Sequence, residues 1–260
     1  MEPNAVCSTL RHPPADVGTG YCCTIRLARR AQANALNLAL LEALVTAFRS
    51  EICRGARAIY LDGEGEIFSA GLDLKWLEAL RHGSRASREI AGDALATLLD
   101  TVAGLDAPVV AFAGRGAFGA GIGLLAAADW VVADPAARFR MSEARLGISG
   151  GVLLKTLRRK VSEAALRQWV LTAGDFDAAT AVAAGLVTDL VAADRREAHR
   201  VELDRQFAVL APSVLGQFKR AVRSQIPSAS DGRLLADALE SDDGAEGLRA
   251  FWERRPPRWL

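Results

Sequence analysis

Between Ala107 and Ala113 the chain reads APVVAFA, an apolar run without polar alternation, and the next ten residues, GRGAFGAGIG, hold five glycines. Such a run fits a strand covered on both faces, and a strand of that kind needs helices packed on its sheet. The flanking segments agree. Tyr21 to Leu27 (YCCTIRL) alternates apolar and polar side chains among strand formers. Leu36, Leu40, Leu41, Leu44, Val45 and Phe48 recur at helical spacing, and ARAIYLDG (56–63) is a second strand candidate ending at a glycine turn. After the loop GEGEIFSAGLDL (63–74), helical material runs from Lys75 to about Asp106. The glycines lead into a short apolar helix, LLAAAD, and WVVAD reads as a further strand. From Gly151 onwards helical patterns occupy 162–173, 177–184, 195–210, 212–224 and 231–251, with one short strand candidate, LVTDLV (186–191). The fold class predicted is α/β, in one large domain of 260 residues. Its parts are a flexible segment over 1–19, an α/β core over 20–200 and a helical region over 201–260.

Composition removes several classes of function. Half of the residues are apolar, enough for a sizeable core and too many for a disordered chain. Lys and Arg number 32 against 31 Asp and Glu, so no overall field draws nucleic acid or an anionic membrane. The three histidines, at 12, 82 and 199, are too scattered for a metal site or a Ser-His-Asp arrangement. The four cysteines, Cys7, Cys22, Cys23 and Cys53, lack CxxC spacing and read as reduced thiols. The first twenty residues carry Pro and Gly and no apolar h-region, which predicts a cytoplasmic protein. Trp76, Trp130, Trp169, Trp252 and Trp259 show no stacking pattern and read as core or subunit contacts.

The glycines admit three readings. Gly114, Gly116 and Gly119 match GxGxxG, with Asp134 beyond them, but the helix that follows is short for a dinucleotide-binding unit. Alternatively they relieve crowding where a helix packs on a sheet. In the third reading they serve carbonyl chemistry. The first N–H groups of a helix lack intrahelical partners, so the Ala120 amide, between Gly119 and Gly121, can donate to an oxygen that gains negative charge. A second donor is available at Leu72, directly after Gly71 in FSAGLDL.

FSAGLDL (68–74), ANAL (33–36), GAGIGLLAAAD (119–129), FRMSEARLGI (139–148) and the terminal EGLRAFWERRPPRW stand in an order that resembles the enoyl-CoA hydratase/isomerase, or crotonase, superfamily, over roughly residues 20–259. The resemblance implies a crotonase-like spiral of ββα turns and a helical C-terminal trimerisation region, giving a homotrimer or a dimer of trimers. It implies that the thioester carbonyl of an acyl-CoA sits between the Leu72 and Ala120 amides, with Gly71, Gly119 and Gly121 shaping that loop pair. Glu143 matches the family's catalytic glutamate, its alternative being a surface glutamate at a loop junction. Asp73 is a helix-start cap or a ligand contact. Around the CoA, the resemblance points to Gln32, Ala33 and Asn34 with Ser69 and Ala70 for adenine and pantetheine. Arg30, Lys75, Arg254 and Arg255 are candidate phosphate partners, or else solvated surface charges. No metal or redox cofactor is implied, because coenzyme A arrives as part of the substrate.

Departures from the pattern narrow the chemistry. Gly123 stands where two-glutamate hydratases carry a second carboxylate, and Gly150 and Gly151 stand where dehalogenases and ring-forming enzymes carry an aspartate. Glu143 is then the remaining acid/base candidate. It suits hydration or dehydration with a bound water, double-bond isomerisation without net water, or a non-catalytic protein that binds acyl-CoA or an acyl carrier protein. ISGGVLLKTLRRKV (148–161) and the Ser142-Glu143 pair are similar to the accessory hydratases of polyketide pathways, which admits a carrier-bound acyl group beside the CoA esters of fatty acid metabolism.

Overall fold

A computed structural model describes residues 6–11, 20–224 and 231–259. Its strands are β1 (Val6–Arg11), β2 (Cys22–Leu27), β3 (Ile59–Gly63), β4 (Val109–Phe118), β5 (Trp130–Arg140), β6 (Asp175–Asp177) and β7 (Asp189–Leu190). The helices are α1 (Leu38–Phe48), α2 (Glu51–Arg54), α3 (Leu74–His82), α4 (Arg85–Gly104), α5 (Ala120–Ala127), α6 (Gly151–Lys160), α7 (Glu163–Thr172), α8 (Ala178–Ala184), α9 (Arg196–Ala208), α10 (Pro212–Ser224), α11 (Asp231–Glu240) and α12 (Asp242–Glu253). The sheet runs β1-β2-β3-β4-β5-β6, parallel from β2 to β5 and antiparallel at both ends, and β7 also pairs with β5.

Successive strand side chains point to opposite faces, and both faces are buried. On one, Ile59, Leu61, Val109, Ala111, Ala113, Val131 and Ala133 join the main core with α1, α4, α5 and α6. On the other, Tyr60, Val110, Phe112 and Val132 pack against Leu203 and Phe207 of α9. APVVAFA is unbroken for this reason: each alternate residue meets a different core. Asp204 ties α9 down, accepting hydrogen bonds from the Tyr60 hydroxyl at 2.5 Å and the Cys22 thiol at 3.1 Å. Cys22, Cys23 and Cys53 are free and buried.

Several expectations need correction. The segment 1–19, expected to be flexible, contributes β1, which pairs with β2 from Val6↔Leu27 to Arg11↔Cys22; residues 1–5 and 12–19, His12 among them, lie outside the described residues. The boundary at 200 falls inside α9, a continuous helix bound to the sheet. The span 231–251 is two helices, because the Ser241 hydroxyl caps a new one at Gly244 N. The glycine stretch is strand as far as Phe118, with register shifts at Gly114 and Gly116. A Cβ at these two positions would stand 2.4 Å from Glu66 O and 2.1 Å from Arg138 O, so crowding accounts for both and the dinucleotide reading falls. No described helix is long and apolar enough to cross a membrane.

Candidate active site

Two loops meet at the end of β4. The chain after β3 runs beside β4 through an isolated parallel bridge, Ser69↔Ala117, and Phe118 N donates to Ser69 O at 2.9 Å. The approach is close enough to need glycine on both sides. A Cβ on Gly71, which has φ +88°, would stand 2.7 Å from Phe118 O, and one on Gly121 would stand 2.7 Å from Ser69 O. The Ala120 amide lies 3.3 Å from that same Gly71 Cβ position, so Leu72 and Ala120 are neighbours in space. Ala120 opens α5 and is buried. Neither its N–H nor that of Leu72 donates to a protein acceptor among the described residues. Leu72 is half-buried, but a donor without a partner at the buried Ala120 is uncommon enough to call for an explanation, and a ligand oxygen supplies one.

Glu143 begins a short 3-10 turn, Glu143–Leu146, after β5. Its Oε1 lies 2.9 Å from the Cβ position of Gly119, the residue before Ala120, and its Cγ lies 3.2 Å from that of Gly150. Glycines thus clear both sides of the carboxylate. Its Oε2 is buried with no hydrogen-bond partner, and burial raises the pKa of the group above the ordinary carboxylate value. An acid held this way gives up or accepts a proton nearer neutrality. A cavity of about 240 Å³ adjoins it, lined by Met141, Ile148, Ser149, Gly150 and Leu154 among others. At Gly123 a Cβ would stand 2.7 Å from Leu153 Cδ2 of α6, so leucine fills the place of a second carboxylate.

The other expected residues divide. Asp73 is the N-cap of α3, its Oδ1 accepting from Lys75 N at 3.0 Å and Trp76 N at 3.3 Å. Ser69 and Ala70 do meet the ANAL loop: the Ser69 hydroxyl donates to Asn34 O and Ala70 N donates to Ala33 O, both at 2.9 Å. Gln32 and Arg30 are exposed on the 3-10 turn just before them, with Arg30 against Gly65, and Lys75 is exposed on α3. The phosphate role expected of the basic C-terminus meets an obstacle. Arg255 is held by Glu246 and Glu253, and Arg258 also pairs with Glu246, whose carboxyl Arg255 in particular holds well below its ordinary pKa. Arg254 ends α12 in the left-handed region, at φ +52°. No recorded contact joins either arginine to the loops around Ala120.

Sequence reasoning missed Arg29 and the supporting role of the Asn34 side chain. The Arg29 guanidinium is buried and pairs with Asp73 at 3.3 Å, fixing the start of α3 directly after Leu72. The Asn34 side chain accepts from Arg29 N and donates to Glu64 O and Ile67 O, joining the ANAL segment to the loop after β3. A fully polar side chain between apolar neighbours in ANAL was the available signal for Asn34; Arg29, one of two adjacent arginines, offered none.

Known proteins resemble this chain over most of its length. The family model for enoyl-CoA hydratase/isomerase matches residues 19–260. A Thermus thermophilus protein provisionally named an enoyl-CoA hydratase is 33% identical over 212 residues, covering 79% of this chain and 83% of its own. Carnitinyl-CoA dehydratase of Citrobacter koseri is 33% identical over 215 residues, covering 78% and 80%. Among solved structures, Pseudomonas aeruginosa AtuE superposes with a TM-score of 0.86 at 29% identity, over 97% of this chain and 98% of its own.

Proposed function

Because the chain belongs to the enoyl-CoA hydratase/isomerase family, we propose that it adds water to, or removes it from, the α,β double bond of an acyl thioester. The observation that carries this reading is the meeting of two unpartnered amides, Leu72 and Ala120, with the buried, unpartnered Oε2 of Glu143 around Gly119. The thioester oxygen sits between the amides, which stabilise the negative charge of the enolate. Glu143 takes a proton from water as the oxygen adds at C3 and returns that proton to C2; dehydration is the reverse. One carboxylate closes the proton balance. The reading draws on no metal or redox cofactor: the CoA ester is substrate, and its adenine and pantetheine lie along Gln32, Ala33, Ser69 and Ala70. An acyl carrier protein's phosphopantetheine arm is the alternative carrier.

The test is Glu143→Ala assayed with crotonyl-CoA and longer enoyl-CoAs: turnover falls at least about a hundredfold, and unchanged turnover rejects the assignment. Ala120→Pro removes the other proposed donor at a first helical position, where proline is tolerated, and is expected to cost about a hundredfold to a thousandfold. Double-bond isomerisation is the second reading, favoured by the leucine that occupies the second-carboxylate place. A 3-enoyl-CoA incubated in isotopically labelled water separates the two, since isomerisation leaves no labelled oxygen in the product. Exposed apolar side chains on α10 to α12, among them Phe218, Val222, Phe251 and Trp252, support a homotrimer, which light scattering checks.

A further inference from the structure

A cavity of about 590 Å³ has Leu72 in its lining and lies between α3 and α4 on one side and the segment leading into α6 on the other. It is mainly apolar, with Leu72, Trp76, Leu77, Leu95, Ile148 and Val152 in its wall. Ile148 and Ser149 also line the smaller cavity at Glu143, so the two spaces share a wall.

Gly92 lines this cavity from the interior of α4, a helix of 20 residues. Glycine destabilises a helix interior and is explained elsewhere in this chain by close contact: a Cβ at Gly71, Gly121 or Gly123 would meet an atom at 2.7 Å. At Gly92 it would meet nothing within 4 Å, and the backbone is not in the left-handed region. Neither packing nor backbone requires glycine there. What the missing side chain provides is room, extended by Ala91 next to it.

The charged groups at the rim are already engaged. Glu78 accepts from Arg81 at 2.9 Å and contacts His82 at 3.0 Å. Arg88 donates to the carbonyls of Leu80 and Arg81 at the end of α3. A carboxylate-bearing acyl tail would therefore find no unengaged cation at the rim. A quaternary ammonium tail would find one aromatic ring, Trp76, where such cations are held by several.

We propose that this cavity receives an uncharged, apolar acyl chain reaching well beyond four carbons, and that Gly92, exposed at its wall, keeps it open to that chain. The proposal rests on the acyl-thioester reading above. The test is calorimetric binding of butyryl-CoA, decanoyl-CoA and glutaryl-CoA to the whole chain and to Gly92→Phe, with Gly92→Leu, a better helix former, as the second variant. Each buried methylene is worth about fourfold in affinity. Decanoyl-CoA is expected to bind at least about tenfold more tightly than butyryl-CoA, and glutaryl-CoA no more tightly than butyryl-CoA. In the Gly92 variants the decanoyl-to-butyryl ratio drops below tenfold. A wild-type ratio under tenfold, fewer than two buried methylenes, overturns the proposal; so does tighter binding of glutaryl-CoA, or a ratio that a folded Gly92 variant leaves unchanged. Failure of the acyl-thioester reading looks different: no CoA ester binds at all, butyryl-CoA included.

Discussion

Gly119→Ala perturbs two things whose sizes follow from the structure. Gly119 has φ +48° and ψ −122°, a conformation that costs an L-residue about 1–3 kcal/mol. The added methyl would also stand 2.9 Å from Glu143 Oε1, so the carboxylate must retreat by about half an ångström to reach ordinary contact. A misplacement of about 1 Å can cost about a hundredfold in rate; the expected loss in kcat/KM is about tenfold to a hundredfold. At about 2–4 °C per kcal/mol for a chain of this size, the melting midpoint drops by about 5 °C. Enoyl-CoA hydration kinetics and scanning calorimetry read the two effects separately. Gly150→Ala divides them: its φ is an ordinary −80°, and its Cβ would stand 3.2 Å from Glu143 Cγ, so the rate falls while stability changes by under about 1 kcal/mol. If Gly119 acts through Glu143, adding Gly119→Ala to Glu143→Ala costs no further rate. A Gly119→Ala enzyme within threefold of wild type, or losses that multiply in the double variant, refutes the reasoning.

Substitutions at Glu143, Asp73 and Gly123 make three further tests. Burial raises the Glu143 pKa in the folded state, so between the ordinary carboxylate value and the raised one the folded chain binds more protons than the unfolded chain. That contribution to stability is present at low pH and is lost as pH rises through the folded pKa. Glu143→Gln therefore flattens the fall, and urea titrations across that range should show the variant gaining on wild type as pH rises; parallel curves refute it. Asp73→Ala removes the α3 cap and leaves the Arg29 guanidinium buried beside an empty place, a loss of about 3 kcal/mol by denaturant titration, whereas Asp73→Asn keeps the cap and costs less. Gly123→Glu collides with Leu153, whose Cδ2 is 2.7 Å from the new Cβ, and destabilises by about 1–3 kcal/mol; Leu153→Ala in the same chain recovers part of that, by the same titration.

What could be read from the residues was local chemistry. FSAGLDL and the glycines before α5 identify Leu72 and Ala120, because a glycine next to a helix start has a physical signature in sequence. The alternation of two cores in β3 and β4 is legible as an unbroken apolar run, although the run does not tell which residue faces which core. Distant pairings were not legible. Val6–Arg11 joins the sheet through an antiparallel pairing that no composition signal in 1–19 predicts. Glu246, whose charge pairs with Arg255 and Arg258, turned an apparently free basic end into a neutralised one. The cavity at Gly92 brings together three separated segments, and the one that holds Gly92 carries no motif.

The leucine at the second-carboxylate place has a consequence for the reaction. On the proposed reading, with Leu153 against Gly123, the proton removed and the proton delivered would both pass through Glu143, so hydration and isomerisation would use the same groups and differ only in whether water stands beside the carboxylate. The cavity at Glu143, about 240 Å³, is several times the volume of a water molecule, about 30 Å³. Ser149, also in its lining, has a hydroxyl that accepts from Gly151 N at 3.3 Å, and the buried Oε2 of Glu143 has no partner. A site built to shuttle a proton between two carbons gains from excluding water there, since the carboxylate is then more basic and the intermediate is protected. On the proposed reading, room for water beside the carboxylate favours addition and removal of water. Filling that space tests the argument: Gly151→Leu, at the wall of the cavity, should lower hydration of an enoyl-CoA more than isomerisation of a 3-enoyl-CoA, and equal losses would count against water standing there.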